Sequence, residues 1–215
     1  MVFLCGVAPA AWASRHPDAA LCDRAAETAA KATGVPIDIL LAISRVESGR
    51  RRNGTFSPWP WTIDADGTGT FYDTEADAIA AATAHLTDGT RSFDIGCFQL
   101  NIRWHGQAFA TFEEMFDPDR NATYAAQFLQ RLYAEKGNWA DAVSAYHSRS
   151  PDLAAAYLSQ VKAVIEQPSD AAPGPAVVPV IAVNNFPLLQ AGLPGGIGSI
   201  VPATTARRPL IGGGD

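Results

Sequence analysis

Apolar residues recur every three to four positions over most of residues 17–165, which is the spacing of amphipathic helices. Gly34, Pro36 and Gly49 stand at segment boundaries, where glycine ends helices and proline opens them. The pattern predicts one short helix, which follows a turn or loop beginning at residue 91, and longer helices over residues 17–33, 37–48, 74–86, 121–136, 139–147 and 151–165.

The stretch between residues 53 and 74 has a different pattern. It combines the turn dipeptides Asn53-Gly54 and Asp66-Gly67 with aromatic and β-branched residues, which is typical of short strands joined by tight turns. We expect an extended segment with a small hairpin there. Residues 91–106 predict a turn or loop that runs into the short helix. The expected fold class is therefore mainly α (α+β), with a small β-hairpin insertion.

The beginning of the chain is apolar and closes on Ala11-Trp12-Ala13, a small-x-small pattern. This pattern predicts a secretory signal peptide over residues 1–13. The run is short and lacks a basic start, so we expect either a truncated signal or, as the alternative, a plain hydrophobic arm.

The end of the chain, residues 167–215, is dense in proline and glycine and almost free of charge. Such a composition predicts a disordered low-complexity tail, because it sustains neither helices nor sheets. The tail is apolar for a solvated linker, so it is expected to pack on the domain in extended form or to dock on a partner. The predicted boundaries are thus 1–13, 14–166 and 167–215.

The charge of the chain excludes some classes of partner. The formal net charge is −6 and the pI is near 5.1, which argues against nucleic-acid binding. No apolar run approaches the roughly 20 residues that a membrane-spanning helix needs, so no transmembrane segment is expected.

The cysteines and histidines bear on disulfide and metal chemistry. Cys5 would leave with the signal peptide, and Cys22 and Cys97 would remain. In an exported protein this pair permits one disulfide, while the alternative is two small buried apolar side chains. The four histidines are scattered and no metal-ligand spacing occurs, so neither a metal nor another cofactor is expected.

Glu47 stands out in the helix over residues 37–48. At about 100° per residue it lies about 20° from Leu40 and about 40° from Ile43, on the core-facing side. Burial and the helix C-terminus both favour the protonated form of its carboxyl group and raise its pKa. A general acid for glycosidic cleavage needs this property. The alternative is a boundary glutamate paired with Arg45, Arg50 or Arg51.

Four short blocks in order show what the chain resembles. They are Glu47-Ser48, Gly96 with Gln99, then Asp117, Pro118 and Asn121, and finally Ala145-Tyr146. Together they resemble the soluble lytic transglycosylase (SLT) domain family, over about residues 21–161. The sequence departs from the family at His147, where asparagine is usual, at Phe98, and in the longer spacing between the first two blocks.

The resemblance implies a fold similar to goose lysozyme and an enzyme that cleaves peptidoglycan strands. The β-1,4 bond between N-acetylmuramic acid and N-acetylglucosamine would break with formation of a 1,6-anhydromuramoyl end. Glu47 would act first as acid and then as base. Ser48, Gly96, Gln99, Asn101 and Tyr146 would bind substrate, with the Tyr146 hydroxyl orienting Glu47. Asp117, Pro118 and Asn121 are interpreted as structural.

Two further features of the insertion leave alternatives open. A second carboxylate facing Glu47 would permit hydrolysis, and the candidates are Asp64, Asp66, Asp73 and Asp94, although aspartate in such stretches usually serves turns. Trp59 and Trp61 would either stack on sugars or anchor the insertion as a hydrophobic cluster.

The resemblance also implies a location and competing functions. We expect an exported protein in the periplasm or at the cell wall, and the tail motivates docking to a cell-envelope machine such as a secretion system or flagellum. The alternatives to a transglycosylase are a hydrolytic, lysozyme-type muramidase and a non-catalytic glycan-binding assembly module.

Overall fold

The computed structural model describes residues 17–52 and 54–167. The predicted signal peptide and all but the first residue of the predicted tail lie outside these residues. The helices of the described part are α1 (Ala19–Thr33), α2 (Ile37–Ser48), α3 (Glu75–Thr87), α4 (Ile102–His105), α5 (Phe112–Phe116), α6 (Pro118–Lys136), α7 (Trp139–His147) and α8 (Pro151–Glu166). Its strands are β1 (Gly49–Arg52), β2 (Thr55–Pro58), β3 (Thr62–Ala65), β4 (Thr68–Phe71), β5 (Asp94–Ile95) and β6 (Leu100–Asn101).

Helix ends follow the capping residues of the sequence. Gly34 closes α1 in the left-handed conformation at φ 77°, and the Thr74 hydroxyl accepts a hydrogen bond from the Asp77 amide at the start of α3. Asp117 caps α6 in the same way, accepting from the Arg120 amide ahead of Pro118. The structural role predicted for Asp117 and Pro118 therefore has a local cause, because the Asp117 carboxylate satisfies an open amide of the first turn and Pro118 brings no amide that needs a partner.

The helical core brings α1, α2, α6, α7 and α8 together. Small side chains line the contact between α1 and α6, where Ala25, Ala29, Ala122 and Ala125 are fully buried. Alanine at these positions lets the two helix backbones approach closely without leaving a cavity. Glu47 lies at the end of α2, and α8 packs against that helix.

The β structure is larger than the small hairpin that the sequence predicts. One antiparallel pair joins β1 and β2, and a second sheet has the strand order β4-β3-β5-β6. Asp66 and Gly67 form the predicted turn between β3 and β4, with φ of 54° and 76°, as a two-residue hairpin loop requires.

The prediction of a turn or loop for residues 91–106 was wrong for β5 and β6, which are two residues each. A strand of two residues is too short to show alternation in a sequence. The five-residue helix α5 was also missed. The predicted class, mainly α with a small antiparallel β part, is confirmed. The described residues contain no helix that is both long and apolar enough to cross a membrane.

Candidate active site

Glu47 is half-buried at the last turn of α2 and accepts a hydrogen bond from α8. The Tyr157 hydroxyl donates to its Oε1 at 2.6 Å. The sequence had assigned this contact to Tyr146, but the Tyr146 hydroxyl instead donates to the Phe98 carbonyl oxygen at 2.8 Å. No motif pointed to Tyr157, because it belongs to a helix outside the four blocks.

Tyr157 is held rigidly by its surroundings. It is 1% exposed, and the His147 ring stacks on it with centroids 4.7 Å apart and 7° between the planes. Burial lowers the pKa of His147 to about 4, so this imidazole is neutral near pH 7. His147, the residue that departs from the family pattern, therefore serves here as a flat apolar support for Tyr157.

Burial dominates the acidity of Glu47. It raises the pKa of the carboxyl group from 4.5 to about 8, and the hydrogen bond from Tyr157 partly opposes this rise. The negative charges of Asp94 and Asp64 raise the Glu47 pKa further. Because Tyr157 donates to Oε1, the second oxygen is the one that carries the proton near neutral pH.

The arginines near Glu47 have other partners, so the ion-pair alternative for this glutamate is wrong. Arg45 forms a bidentate salt bridge with Asp23, with N–O distances of 2.9 and 3.0 Å. The guanidinium of Arg50 lies 4.1 Å from the centroid of the Trp59 ring. These cations stabilise the helix and the insertion and leave the Glu47 proton in place.

The segment 96–99, which we call the glycine loop, is tethered from several parts of the fold. The Ser48 hydroxyl lies 2.9 Å from the Cys97 carbonyl oxygen, and the Phe98 amide donates to Asn121 Oδ1 at 3.0 Å. Asn121 Nδ2 also donates to the carbonyls of Ile95 and Met115. Asn121 is structural, as predicted, in the sense that it fixes this loop rather than capping α6.

The backbone of the glycine loop is tight. Gly96 has φ 84°, and a Cβ there would lie 2.7 Å from Asn121 Nδ2, so only glycine fits. Gln99 adopts a left-handed conformation with φ 45°, which is strained for a residue with a side chain. The side-chain Nε2 of Gln99 donates to the carbonyl oxygens of Gly96 and Thr62 at 2.8 and 3.3 Å.

The predicted substrate-binding residues fall into two groups. Ser48 is fully buried and Tyr146 is 9% exposed, and both hydroxyls contact main-chain oxygens of the glycine loop. Gln99 and Asn101 are half-buried. Ser48 and Tyr146 therefore hold the loop in place, and the other two have surface left for a ligand.

Two of the four aspartates of the insertion lie near Glu47 rather than in turns. Asp64 on β3 and Asp94 on β5 are directly opposite each other in the sheet. Burial raises the pKa of Asp94 to about 7, and Asp64 adds to the rise while the Asn101 hydrogen bond opposes it. Asp66 is the turn residue that we expected, and Asp73 pairs with Arg52 at 3.5 Å.

The tryptophans of the insertion belong to the core. Trp59 is 1% exposed and Trp61 is 7% exposed, and the Trp59 indole donates to the Tyr72 carbonyl oxygen. These contacts favour the hydrophobic-cluster interpretation over sugar stacking, because a ring face that is buried and covered by Arg50 has no room for a sugar.

Cys22 and Cys97 are joined in a disulfide with their Cα atoms 5.5 Å apart. The bond ties α1 to the glycine loop, in the middle of the site. The described residues hold no group of three or more histidine, cysteine, aspartate or glutamate side chains arranged for a metal ion.

Comparison with known proteins bears on the whole of this region. The profile of the transglycosylase SLT domain matches residues 24–156, which include Glu47, the glycine loop, Asn121 and Tyr146. No curated protein and no solved structure matches the chain. Because the profile covers more than half of the 215 residues, the chain belongs to the transglycosylase SLT domain family.

Proposed function

We propose that the protein is a peptidoglycan lytic transglycosylase in which Glu47 is the catalytic acid and then the base. The observation that carries this proposal is the environment of Glu47. Its pKa is raised to about 8, and one oxygen is held by Tyr157. A carboxyl group that stays protonated near neutral pH is what glycosidic cleavage requires.

In the proposed reaction, Glu47 gives one proton to the substrate and later takes one proton back. Glu47 donates its proton to the glycosidic oxygen, and the bond from that oxygen to C1 of N-acetylmuramic acid breaks. The C6 hydroxyl of the same sugar then forms a bond to C1 and gives its proton to the Glu47 carboxylate. The products are a free N-acetylglucosamine end and a 1,6-anhydromuramoyl end, and Glu47 returns to its starting state.

Substrate contacts are assigned to the residues that keep exposed surface. Gln99 and Asn101 are half-buried, and their amide groups suit the acetamido and carbonyl groups of the glycan. The backbone at Gly96 provides the close approach to the sugar that a side chain would prevent. Ser48 and Tyr146 contribute through the glycine loop to which their hydroxyls are bonded.

The proposed location is outside the cytoplasm, in the periplasm or at the cell wall. Peptidoglycan lies there, and the Cys22–Cys97 disulfide is typical of an oxidising compartment. Docking of the tail to a cell-envelope machine stays a prediction, because residues 168–215 lie outside the described part of the chain.

Mass spectrometry of peptidoglycan digests tests this function. We expect purified protein to release 1,6-anhydromuropeptides, and Glu47→Gln to lower their release about 1,000-fold, as expected for loss of the proposed general acid. Glu27→Gln is the matched control, since Glu27 is exposed on α1. Full activity of Glu47→Gln would contradict the assignment. If that variant kept the full biological activity in cells, a glycan-binding assembly module would be favoured.

A further inference from the structure

A polar row crosses the sheet on the side of Glu47. Asp64 pairs with Asp94, and Asp94 pairs with Asn101, across three neighbouring strands. Directly opposite residues share one face of a sheet. The adjacent row of Ile63, Ile95 and Leu100 is at most 1% exposed and faces the core, so the polar row faces the other way.

This row contains an unfavourable pair. Like charges directly opposite each other destabilise a sheet, and burial increases the cost. Asp64 is only 3% exposed, and Asp94 is half-buried. Both carboxyl groups lie close enough to Glu47 to raise its pKa, so the unfavourable pair belongs to the active site.

Asp94 is oriented by a chain of hydrogen bonds. Asn101 Oδ1 accepts from the Arg103 amide at 3.0 Å, where it caps α4. This contact turns Asn101 Nδ2 toward Asp94, to which it donates at 2.7 Å. Only Oδ1 of Asp94 takes part in that bond, and the side chain is half-buried, so Oδ2 is left to bind a ligand.

We propose that Asp94 is a second catalytic carboxylate and that the protein also hydrolyses the bond it cleaves. This inference rests on the proposed function, because it uses Glu47 as the same acid. Asp94 Oδ2 would hold a water molecule, take one proton from it, and direct its oxygen to C1. The C1–oxygen bond breaks as Glu47 protonates the leaving sugar, so one water is consumed and a reducing muramic end forms.

Asp64 is assigned a positioning role in this step. Its negative charge raises the pKa of Asp94, which makes that carboxylate a stronger base. The order of the two pKa values suits the reaction, because Asp94 loses its proton at a lower pH than Glu47 does. The other titratable group that senses Asp94 is Tyr146 on α7, which is neutral over this range.

Digestion in H₂¹⁸O, with immediate borohydride reduction to stop exchange, separates the two reactions. Hydrolysis places ¹⁸O at C1 of muramic acid, and the anhydro product carries none. We expect both products from the wild-type protein. Asp94→Asn should lower the labelled product about 100-fold, the usual range for loss of a general base, and so lower the ratio of labelled to anhydro product. Asp66→Asn is the matched control, since Asp66 occupies the β3–β4 turn.

Each outcome decides a different point. Anhydro product alone from the wild-type protein would overturn this inference and leave the proposed function standing, whereas no product at all would overturn both. An unchanged ratio of the two products in a folded Asp94→Asn protein would also overturn it.

The wild-type protein gives an independent check, because the ratio of labelled to anhydro product should fall about tenfold per pH unit below pH 7, where Asp94 becomes protonated. A ratio that does not change with pH would contradict the role of Asp94.

Discussion

The hydroxyl of Tyr157 donates a hydrogen bond to Oε1 of Glu47 at 2.6 Å, although the two residues are 110 positions apart in the sequence. The bond joins the end of α2 to the middle of α8. It fixes which carboxyl oxygen can hold the transferable proton. Helix α8, the last helix of the described residues, is therefore part of the candidate active site and not only part of the core.

Replacing Tyr157 by phenylalanine should weaken catalysis. A hydrogen bond to a carboxylate contributes about 1.5–3 kcal/mol, so we expect kcat to fall about 10- to 100-fold with KM nearly unchanged. Because the bond lowers the Glu47 pKa, its loss should move the alkaline limb of the pH–rate profile upward. Rates measured between pH 5 and pH 10 on soluble glycan fragments would show both effects.

The control for this variant is Tyr133→Phe. Tyr133 is 39% exposed on α6 and stacks on Trp139, away from Glu47. The Tyr133→Phe substitution should leave kcat and the pH profile unchanged. A Tyr157→Phe protein with a lower kcat but an unshifted alkaline limb would show that Tyr157 acts on folding and not on Glu47.

Glu47→Gln should stabilise the protein at neutral pH while removing activity. A carboxyl group whose folded pKa is raised favours the folded state fully below its unfolded pKa of 4.5, and this stability is lost as the pH rises toward about 8. At pH 7 the loss is about 3 kcal/mol. Glutamine imitates the neutral carboxyl group, so we expect a gain in unfolding free energy of about 1–3 kcal/mol at pH 7.

Urea denaturation at two pH values measures this effect. The difference between wild type and Glu47→Gln should be large at pH 7.5 and small at pH 4, where Glu47 is protonated in the folded chain and largely so in the unfolded chain. An equal difference at both pH values would mean that the stabilisation does not come from the Glu47 charge.

Gly96→Ala should be more destabilising than an alanine at another glycine with positive φ. Gly89 has φ 90° and would place an added Cβ in open space, with nothing within 4 Å, whereas the Cβ at Gly96 would meet Asn121 Nδ2 at 2.7 Å. Gly89→Ala should cost about 1 kcal/mol for the backbone alone. Gly96→Ala should cost about 1–3 kcal/mol more, the usual range for overpacking, and should also lower activity. Thermal unfolding of both variants gives the comparison, and equal costs would show that Asn121 moves aside freely.

Removing the Cys22–Cys97 disulfide should destabilise the domain. The bond closes a loop with a sequence separation of 75 residues, for which chain entropy gives about 4 kcal/mol. We expect the free energy of unfolding of the Cys22→Ala/Cys97→Ala protein to be lower than that of the wild type by that amount. Its urea midpoint should be lower accordingly. Wild-type protein with reductant should approach the double variant, and without reductant intact-mass analysis should show two fewer hydrogens. The same urea midpoint for all three samples would contradict a stabilising bond.

Elements with strong local signals could be predicted from the sequence. Helix α7 has the predicted bounds and α1 nearly so, because capping asparagine and closing glycine act within a few residues. The strands β5 and β6 could not be predicted, because each depends on a partner far away in the chain. For the same reason, Asp64 and Asp94 resembled turn residues until the register placed them opposite each other.

The residues of the candidate site also differ in how well the sequence predicts them. Glu47 was identified from its helical spacing and from the family blocks, while its partner Tyr157 has no signal within the sequence. Ser48 and Tyr146 were interpreted as substrate contacts, yet their hydroxyls bind the backbone of the glycine loop. A motif therefore indicates which residues belong to one site. Whether each side chain contacts the protein or the ligand depends on its direction, which tertiary packing decides.

The glycine loop has a consequence for how the protein folds. Within the described structure its four residues are held by contacts from Cys22, Ser48, Thr62, Asn121 and Tyr146, which are spread over most of the domain. Contacts of such long sequence separation form late, because the chain loses entropy before they stabilise it. A nascent or partly assembled chain thus carries Glu47 without the loop beside it. Under the proposed function, an incompletely folded chain would therefore lack the arrangement that cleavage requires.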